Sequence, residues 1–392
     1  MDRFRQSPTD PAFVQDPYPA YAAARRRGPV HWWDAYAMPA AFDFATVDAV
    51  LRDRRFGRET PRELAEAPPA HLVPFYAIED HSMLELEPPR HTRLRKLVLR
   101  AFTTRRIAAL APEIEALCHD LIDGFPEGAF DLLPAYCERL PVIVIARLLG
   151  VPEAMAPQLL AWSHAMVAMY QARRDRAAEE SAAQAAGEFA DFLRRHAEAR
   201  RARPADDLIS HLVAAEDAGD TLSTEELIAT CVLLLNAGHE ATVHTLGNGV
   251  KAILEHAAQD ALAPDRVEGT VEEILRFDPP LHMFTRWAYE DAEIAGHRFA
   301  RGDRIALLLG AANRDPARWH APERFDPARP VRPNAAFGAG LHFCVGAPLA
   351  RLELRIGLAT LFARCPKLRL AAPPRYADLY HFHGLERLTV RR

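Results

Sequence analysis

Residue type and spacing predict a mainly helical chain with a minor β region. Beyond residue 90, apolar residues recur with a helical period through most of the chain. One capped apolar run in its second half continues far longer than an ordinary helix, and only residues 287–309 and 368–392 alternate as strands do. Composition agrees: 392 residues, 49% hydrophobic and 26% charged, hold ample apolar material for a core and exclude a disordered chain. Length alone allows two or three domains, or one large one.

Residues 1–90 are rich in proline and turns, with short mixed segments such as Ala40–Val50, and end in Glu87-Pro88-Pro89-Arg90. Apolar spacing and high alanine, leucine and arginine content then predict helices over His91–Ala101, Ile107–Phe125, Leu140–Leu149, Ala156–Tyr170 and Ala177–Ala202, the last closed by Arg203-Pro204. Ser223-Thr224-Glu225-Glu226 is a capping box: the serine accepts a backbone N–H and the glutamate three residues on reaches back. It opens a helix reaching His256, about 34 residues or roughly 50 Å at 1.5 Å per residue. A helix of that length crosses the fold, so its middle lies near the centre. Alternation predicts strands at Trp287–Ile294 and Arg304–Leu309 around a turn at Arg301-Gly302-Asp303. Asn313–Pro333 reads as irregular coil, Leu349–Arg364 as an amphipathic helix and Leu368–Arg392 as terminal strands. There is no internal repeat and no low-complexity tract.

A net charge of −5 gives no electrostatic footprint for nucleic acid. Five scattered cysteines, Cys118, Cys137, Cys231, Cys344 and Cys365, do not make a disulfide framework and suit a reducing compartment. Met1–Phe13 is polar, contains Pro8 and Pro11, and has no apolar core of a signal peptide. The longest apolar runs, Val142–Ala146 and Cys231–Leu235, fall well short of the roughly 18 residues a membrane span needs. A soluble protein without a membrane anchor is expected.

The run Phe337-Gly338-Ala339-Gly340-Leu341-His342-Phe343-Cys344-Val345-Gly346 sets one cysteine in a glycine-punctuated loop leading into the last helix. Glycine adds no side chain and lets the backbone press close to a flat macrocycle. Turn N–H groups can then point at the sulfur and spread its charge, the setting in which a thiolate holds a haem iron. The bland alternative for a lone cysteine is a buried, inert thiol. Zinc, suggested by His342, Cys344, Cys365, His381 and His383, is set aside because structural zinc wants paired ligands and the chain has no C-x-x-C. The run resembles the haem-binding loop of the cytochrome P450 superfamily, F-x-x-G-x-H-x-C-x-G, and every fixed position is present, Phe337, Gly340, His342, Cys344 and Gly346 among them.

Three further constellations resemble that family. Glu273 and Arg276 lie one helical turn apart. An exposed pair of this kind is common, but beside the cysteine loop it is similar to the family's buried Glu-x-x-Arg pair, joined by Arg324 of Pro322-Glu323-Arg324-Phe325. The implied role is structural. His91 and Arg95, four apart on a predicted helix, face the same way. With Arg286 and His342 they resemble the family's contacts to the haem propionates, and arginine forks match carboxylates. Arg93, Lys96 and Arg100 read instead as a solvated basic face. Finally Ala237-Gly238-His239-Glu240-Ala241-Thr242, at the middle of the long helix, resembles the family's oxygen-pocket segment A-G-x-E/D-T-T. Its bland reading is close helix packing. Here the chain departs from the pattern: Ala241 stands where the hydroxyl residue is expected, so Glu240, Thr242 and ordered water, or a hydroxyl on the substrate, must take over proton delivery.

The resemblance implies one cytochrome P450 catalytic domain over residues 1–392, of the soluble bacterial, cytoplasmic type: a haem-thiolate monooxygenase using haem b and O2. Cys344 would be the metal ligand, with His91, Arg95, Arg286, His342, Phe337, Gly338 and Gly346 around the cofactor and Gly238, Glu240, Ala241 and Thr242 at the oxygen site. Candidate substrate contacts are Phe75, Ile78 and Met83; Leu233, Asn236 and Ala237; Leu281, His282 and Met283; and His381 and Phe382. Such a lining suits a small hydrophobic organic molecule. Electrons would come from a ferredoxin and its NAD(P)H-dependent reductase, docked against Arg100, Arg105, Arg106, Arg351 and Arg355, which otherwise read as solvated helix faces. The rival readings are a haem-binding ligand sensor or carrier without turnover, and a peroxide-driven oxygenase.

Overall fold

The computed structural model describes residues 1–217 and 220–392. The long helix spans Thr224–Glu255, and both capping-box bonds form: the Ser223 hydroxyl accepts the Glu226 N–H at 3.1 Å and the Glu226 carboxylate accepts the Ser223 N–H at 2.9 Å. Helices Arg139–Leu149, Ala156–Val167, Arg176–Ala202 and Ala347–Arg364 pack around it. Most of its side chains are consequently buried, and it forms the spine of the largest apolar cluster.

Most predicted helices lie within a few residues of their expected bounds. Ile107–Phe125 is instead two helices, Thr104–Ala109 and Ala111–Asp123. Pro112, in the first turn of the second, has no N–H to continue the first. Ala156–Val167 ends a turn early in a 3₁₀ turn through Tyr170. The N-terminal ninety residues hold more structure than their prolines suggested. Tyr18–Arg27, Phe44–Arg52 and Val73–Glu79 are helices, and the mixed stretch Ala40–Val50 is a strand end followed by a helix capped by Asp43.

Strands from both ends of the chain share one sheet, in the order Arg3–Phe4, Val30–Trp33, Met38–Ala41, Arg304–Leu308, Met283–Ala288, Phe56–Gly57. Arg304 pairs with Trp287 and Leu308 with Met283, antiparallel. The strand expected at Trp287–Ile294 therefore starts four residues earlier and stops at Ala288. Ala292–Ile294 instead folds onto His297–Phe299 as a hairpin whose two-residue loop, Ala295-Gly296, takes positive φ at both positions (50° and 77°), as a tight type I′ connection requires. Residues 313–339 carry no helix or strand, and the terminal strands are short: Arg369–Leu370, Arg375–Tyr376, Leu385–Arg387 and Thr389–Arg391.

One expected partner is corrected. The Glu273 carboxylate receives Arg276 Nε and Nη2, each at 2.7 Å, the Asp326 N–H at 2.8 Å and Arg329 Nε at 3.2 Å. The second arginine is thus Arg329, not Arg324. Arg324 is exposed and contributes only its carbonyl, which accepts Arg276 Nη2 at 3.1 Å. A turn closed by the Arg329 N–H on the Asp326 carbonyl at 2.9 Å carries Arg329 back to the carboxylate. Among the described residues no helix is long and apolar enough to cross a membrane.

Candidate active site

The Cys344 loop is shaped by two left-handed glycines, Gly338 (φ 67°) and Gly340 (φ 68°). Gly340 has no room for a side chain, because a Cβ there would stand 2.3 Å from the Leu51 carbonyl oxygen. The Cys344 N–H donates to the Phe337 carbonyl at 3.0 Å, closing the loop just before helix Ala347–Arg364. Of the five cysteines four are sealed in the interior, whereas Cys344 keeps accessible surface. Burial pushes its thiol up, opposed by the Gly346 and Ala347 N–H groups and by the charges of Arg95 and Arg351. Cys344 is thus crowded by protein while the residue keeps some accessible surface. By contrast burial, and after it the charge of Asp207, drives Cys231 up to about 12, and nothing there draws the proton off.

Around Cys344 the fold gathers all four expected donors. Arg95 Nη2 donates to the Phe343 carbonyl at 2.7 Å. The His91 and His342 rings lie 4.5 Å apart, and His342 Nε2 meets Glu87 at 2.8 Å. His91 Nδ1 is buried without a partner, and its pKa falls to about 4 through burial and the neighbouring His342 and Arg95. Arg286 is 3% exposed, donates only to the carbonyl of Thr285 at 2.8 Å, and is pushed down to about 9, chiefly by burial and then by Arg58. A buried guanidinium with no ion pair is costly. An anionic group between Arg286, His91 and Arg95 would remove that cost, so these residues fit a haem whose propionates they would hold and whose iron Cys344 would bind.

The long helix turns an open face to the interior. Leu233, Asn236, Ala237, Gly238, Ala241 and His244 retain accessible surface while the residues between them are buried. Thr242 is not on that face: its hydroxyl donates to its own helix, on the Gly238 carbonyl at 3.0 Å, and it is buried. It is therefore poorly placed to replace the hydroxyl missing at Ala241. Glu240 is buried among three histidines, its oxygens 3.2 Å from His239 Nε2 and 3.4 Å from both His164 Nε2 and His244 Nε2. Burial would raise its pKa, but these imidazoles hold it well below the usual carboxylate range.

The expected substrate contacts divide. Leu233, Asn236, Ala237, Leu281 and His381 carry accessible surface, and Leu281 and Phe382 are joined by a β-bridge. Phe75, Ile78 and Met83 are core residues of the largest cluster. His282 and Met283 face elsewhere, and this corrects their assignment. His282 is enclosed by Tyr21, Tyr18, Tyr380 and His383, its Nδ1 3.1 Å from the Tyr21 hydroxyl, and Met283 packs into the N-terminal aromatic cluster with Phe13, Trp33 and Tyr380. The next two residues, Phe284 and Thr285, keep accessible surface. A polar corner went unanticipated because its members are far apart in sequence. Arg58 pairs with Glu85, and the Tyr170 hydroxyl donates to Glu79 at 2.8 Å. Tyr170 also stacks on His381 with ring centres 6.1 Å apart. Burial and Glu85 push Glu79 up to about 7, while burial and Arg58 lower His381 to about 4.

Comparison with known proteins decides the family. A cytochrome P450 family model matches residues 267–368, the stretch holding Glu273, Arg286 and Cys344. Along nearly its whole length the chain is 38% identical to the cytochrome P450 monooxygenase PikC of Streptomyces venezuelae, covering 97% of this chain and 92% of that protein. This chain belongs to the cytochrome P450 family. It is 40% identical to the vitamin D(3) 25-hydroxylase of Pseudonocardia autotrophica, covering 96% of this chain and 94% of the relative. Among solved structures it superposes on P450BioI, determined in complex with hexadec-9Z-enoic acid ligated acyl carrier protein, with TM-score 0.92, 34% identity and coverage of 97% and 99%. The P450 fold, mainly helical with a smaller sheet, and a haem-iron monooxygenase activity follow from that membership.

Proposed function

We propose that this P450 inserts one oxygen atom of O2 into a small hydrophobic organic substrate, with all 392 residues forming one catalytic domain around haem b. The observation that carries the reading is Cys344 in its glycine-shaped loop, the one cysteine that is not buried, together with the buried Arg286 without an ion pair and the unpartnered His91 Nδ1. When bound, the haem supplies oxygen binding and activation at its iron, tuned by an anionic sulfur ligand. The residues do the rest. Cys344 ligates, and Gly338 and Gly346 with Phe337 keep the loop close to the macrocycle. His91, Arg95, Arg286 and His342 hold the propionates. Glu273 and Arg276, with Arg329, brace the coil leading to the loop. Ala237 and Gly238 would leave room for a ligand bound at the haem, and Glu240 would relay protons.

Because Ala241 has no hydroxyl and Thr242 is tied to Gly238, water held by Glu240 or a hydroxyl of the substrate completes the relay. Restoring the alcohol tests this. Ala241→Thr should change the ratio of peroxide released to product formed by about 100-fold, the low end of what a positioned proton donor contributes. If neither that ratio nor the turnover rate moved, the relay would lie elsewhere.

The substrate side is apolar along the long helix and polar at the Arg58, Glu79, Glu85 and Tyr170 corner, which suits a terpenoid, fatty acyl or aromatic compound with one polar end. A ligand screen followed by the optical change on loss of iron-bound water identifies it. Supplying NADH with a surrogate ferredoxin pair, against peroxide alone, separates the monooxygenase from a peroxide-driven oxygenase or a ligand carrier by the product formed.

A cytoplasmic setting, with electrons from a ferredoxin and its NAD(P)H-dependent reductase, fits the free cysteines and a concave surface of about 1040 Å³ behind the cysteine loop, lined by Phe337, Phe343, Thr104, Arg351 and Arg355. Arg351 and Arg355 are already paired there, with Glu272 at 2.5 Å and Glu268 at 3.0 Å. The field toward an acidic donor therefore falls more on Arg105 and Arg106. Reversing both charges should slow ferredoxin-driven reduction about 10-fold at low salt and leave reduction by dithionite unchanged. Equal ferredoxin rates would dismiss this docking face.

A further inference from the structure

We propose that His164, His239 and Glu240 form a binding site for a divalent transition-metal ion of the zinc class, separate from the haem iron. His239 and Glu240 come from the middle of the long helix, and His164 from helix Ala156–Val167 packed across it. The three ligand atoms lie within 4.8 Å of one another. Two edges of the triangle are shorter, with Glu240 Oε2 at 3.2 Å from His239 Nε2 and 3.4 Å from His164 Nε2. Ligands about 2.0–2.1 Å from a tetrahedral zinc stand about 3.3 Å apart, so both edges already have the spacing the ion imposes.

Protonation points the same way. His239 Nδ1 lies 2.9 Å from the Leu235 carbonyl, which only accepts, so Nδ1 carries the hydrogen and holds the ring. That is the second contact a metal-bound histidine ordinarily makes, and it leaves the Nε2 lone pair free as a ligand. The free nitrogen is fully buried and has no hydrogen-bond partner, nor has the Glu240 oxygen it faces. With Nε2 unprotonated, its lone pair and the anionic oxygen 3.2 Å away repel unless a positive charge lies between them, and a bound cation supplies the counter-charge that otherwise only protonated imidazoles give Glu240. His164, with 51% of its side chain exposed, opens the site to solvent. His244 Nε2, 3.4 Å from the other carboxylate oxygen and also unpartnered, stands behind it.

The second histidine–carboxylate group, Asp278, His282 and His383, is closed by comparison. All three residues are buried, and the Asp278 oxygens accept the hydroxyls of Tyr18 and Tyr376.

The test uses the haem-loaded protein, stripped with a chelator, dialysed against micromolar Zn²⁺, freed of unbound ion and analysed for zinc and iron. The expected result is one zinc per iron in the wild type, lost in His164→Ala and kept in His297→Ala, a histidine on the hairpin far along the chain. His164→Ala alters an exposed side chain, so it tests the site without threatening the fold, and its circular dichroism should match the wild type. A wild type that binds no zinc overturns the proposal. So does a His164→Ala variant that keeps its equivalent, because the ion would then sit elsewhere, as at Asp278 and His383.

Discussion

Glu273→Gln should destabilise the protein by about 3–5 kcal/mol, read as a fall in urea midpoint, because the change leaves two buried guanidiniums without their counter-charge. Arg276 is enclosed, and its donors are all committed: Nε and Nη2 to the carboxylate, Nη1 to the carbonyls of Asn313 and Pro322 at 3.0 and 2.8 Å. The glutamine amide keeps the size of the side chain but turns a donor toward one of these donors. The same experiment decides between the two candidate arginines. Arg329→Ala removes a half-buried partner and should cost measurably, whereas Arg324→Ala removes an exposed side chain and should stay within about 0.5 kcal/mol of the wild type. The opposite order would restore Arg324 to the network.

Gly340→Ala should abolish stable haem loading. Its backbone has φ 68°, and a Cβ would overlap the Leu51 carbonyl at 2.3 Å, so the chain itself must move. Cys344 lies four residues on in the same closed loop, and its N–H bond to Phe337 fixes the sulfur's direction. Left-handed strain alone costs about 1–2 kcal/mol. Gly296→Ala isolates that part, since Gly296 has φ 77° with nothing within 4 Å of its Cβ. The ratio of Soret absorbance to protein after reconstitution should collapse for Gly340→Ala and hold for Gly296→Ala. Equal loading in both would mean that the loop tolerates the displacement.

Local chemistry was legible where it was written in adjacent residues. The capping box at Ser223 placed the long helix to within a residue, and the cysteine loop announced its turn through Gly340, although Gly346, read with it, is right-handed (φ −81°) and the second left-handed glycine is Gly338. The four donors His91, Arg95, Arg286 and His342 come from three separate segments, and only the resemblance could join them. What failed was register. The strand read at Trp287 starts at Met283, and His282 and Met283, assigned to the substrate by resemblance alone, pack instead against aromatic residues from both ends of the chain. Arg324 failed because the turn at Asp326 decides which of two nearby arginines reaches Glu273, and hydrogen bonds set that turn. The polar corner and the approach of His164 to Glu240 depend on contacts between distant segments, which no periodicity encodes, whereas His244 lies one turn from Glu240 on the same helix. The N-terminal helices hid among prolines, several of which occupy first-turn positions where their missing N–H costs nothing.

Cys344 as the axial thiolate is the claim on which the rest depends, and the absorption spectrum of the reduced, carbon-monoxide-treated protein tests it most directly. The wild type should show the strongly red-shifted Soret band of thiolate ligation, and Cys344→Ser should lose it while any one of the sealed cysteines, such as Cys231→Ser, retains it. An unshifted band in the wild type, or a Cys344→Ser protein with the wild-type spectrum, would contradict the account.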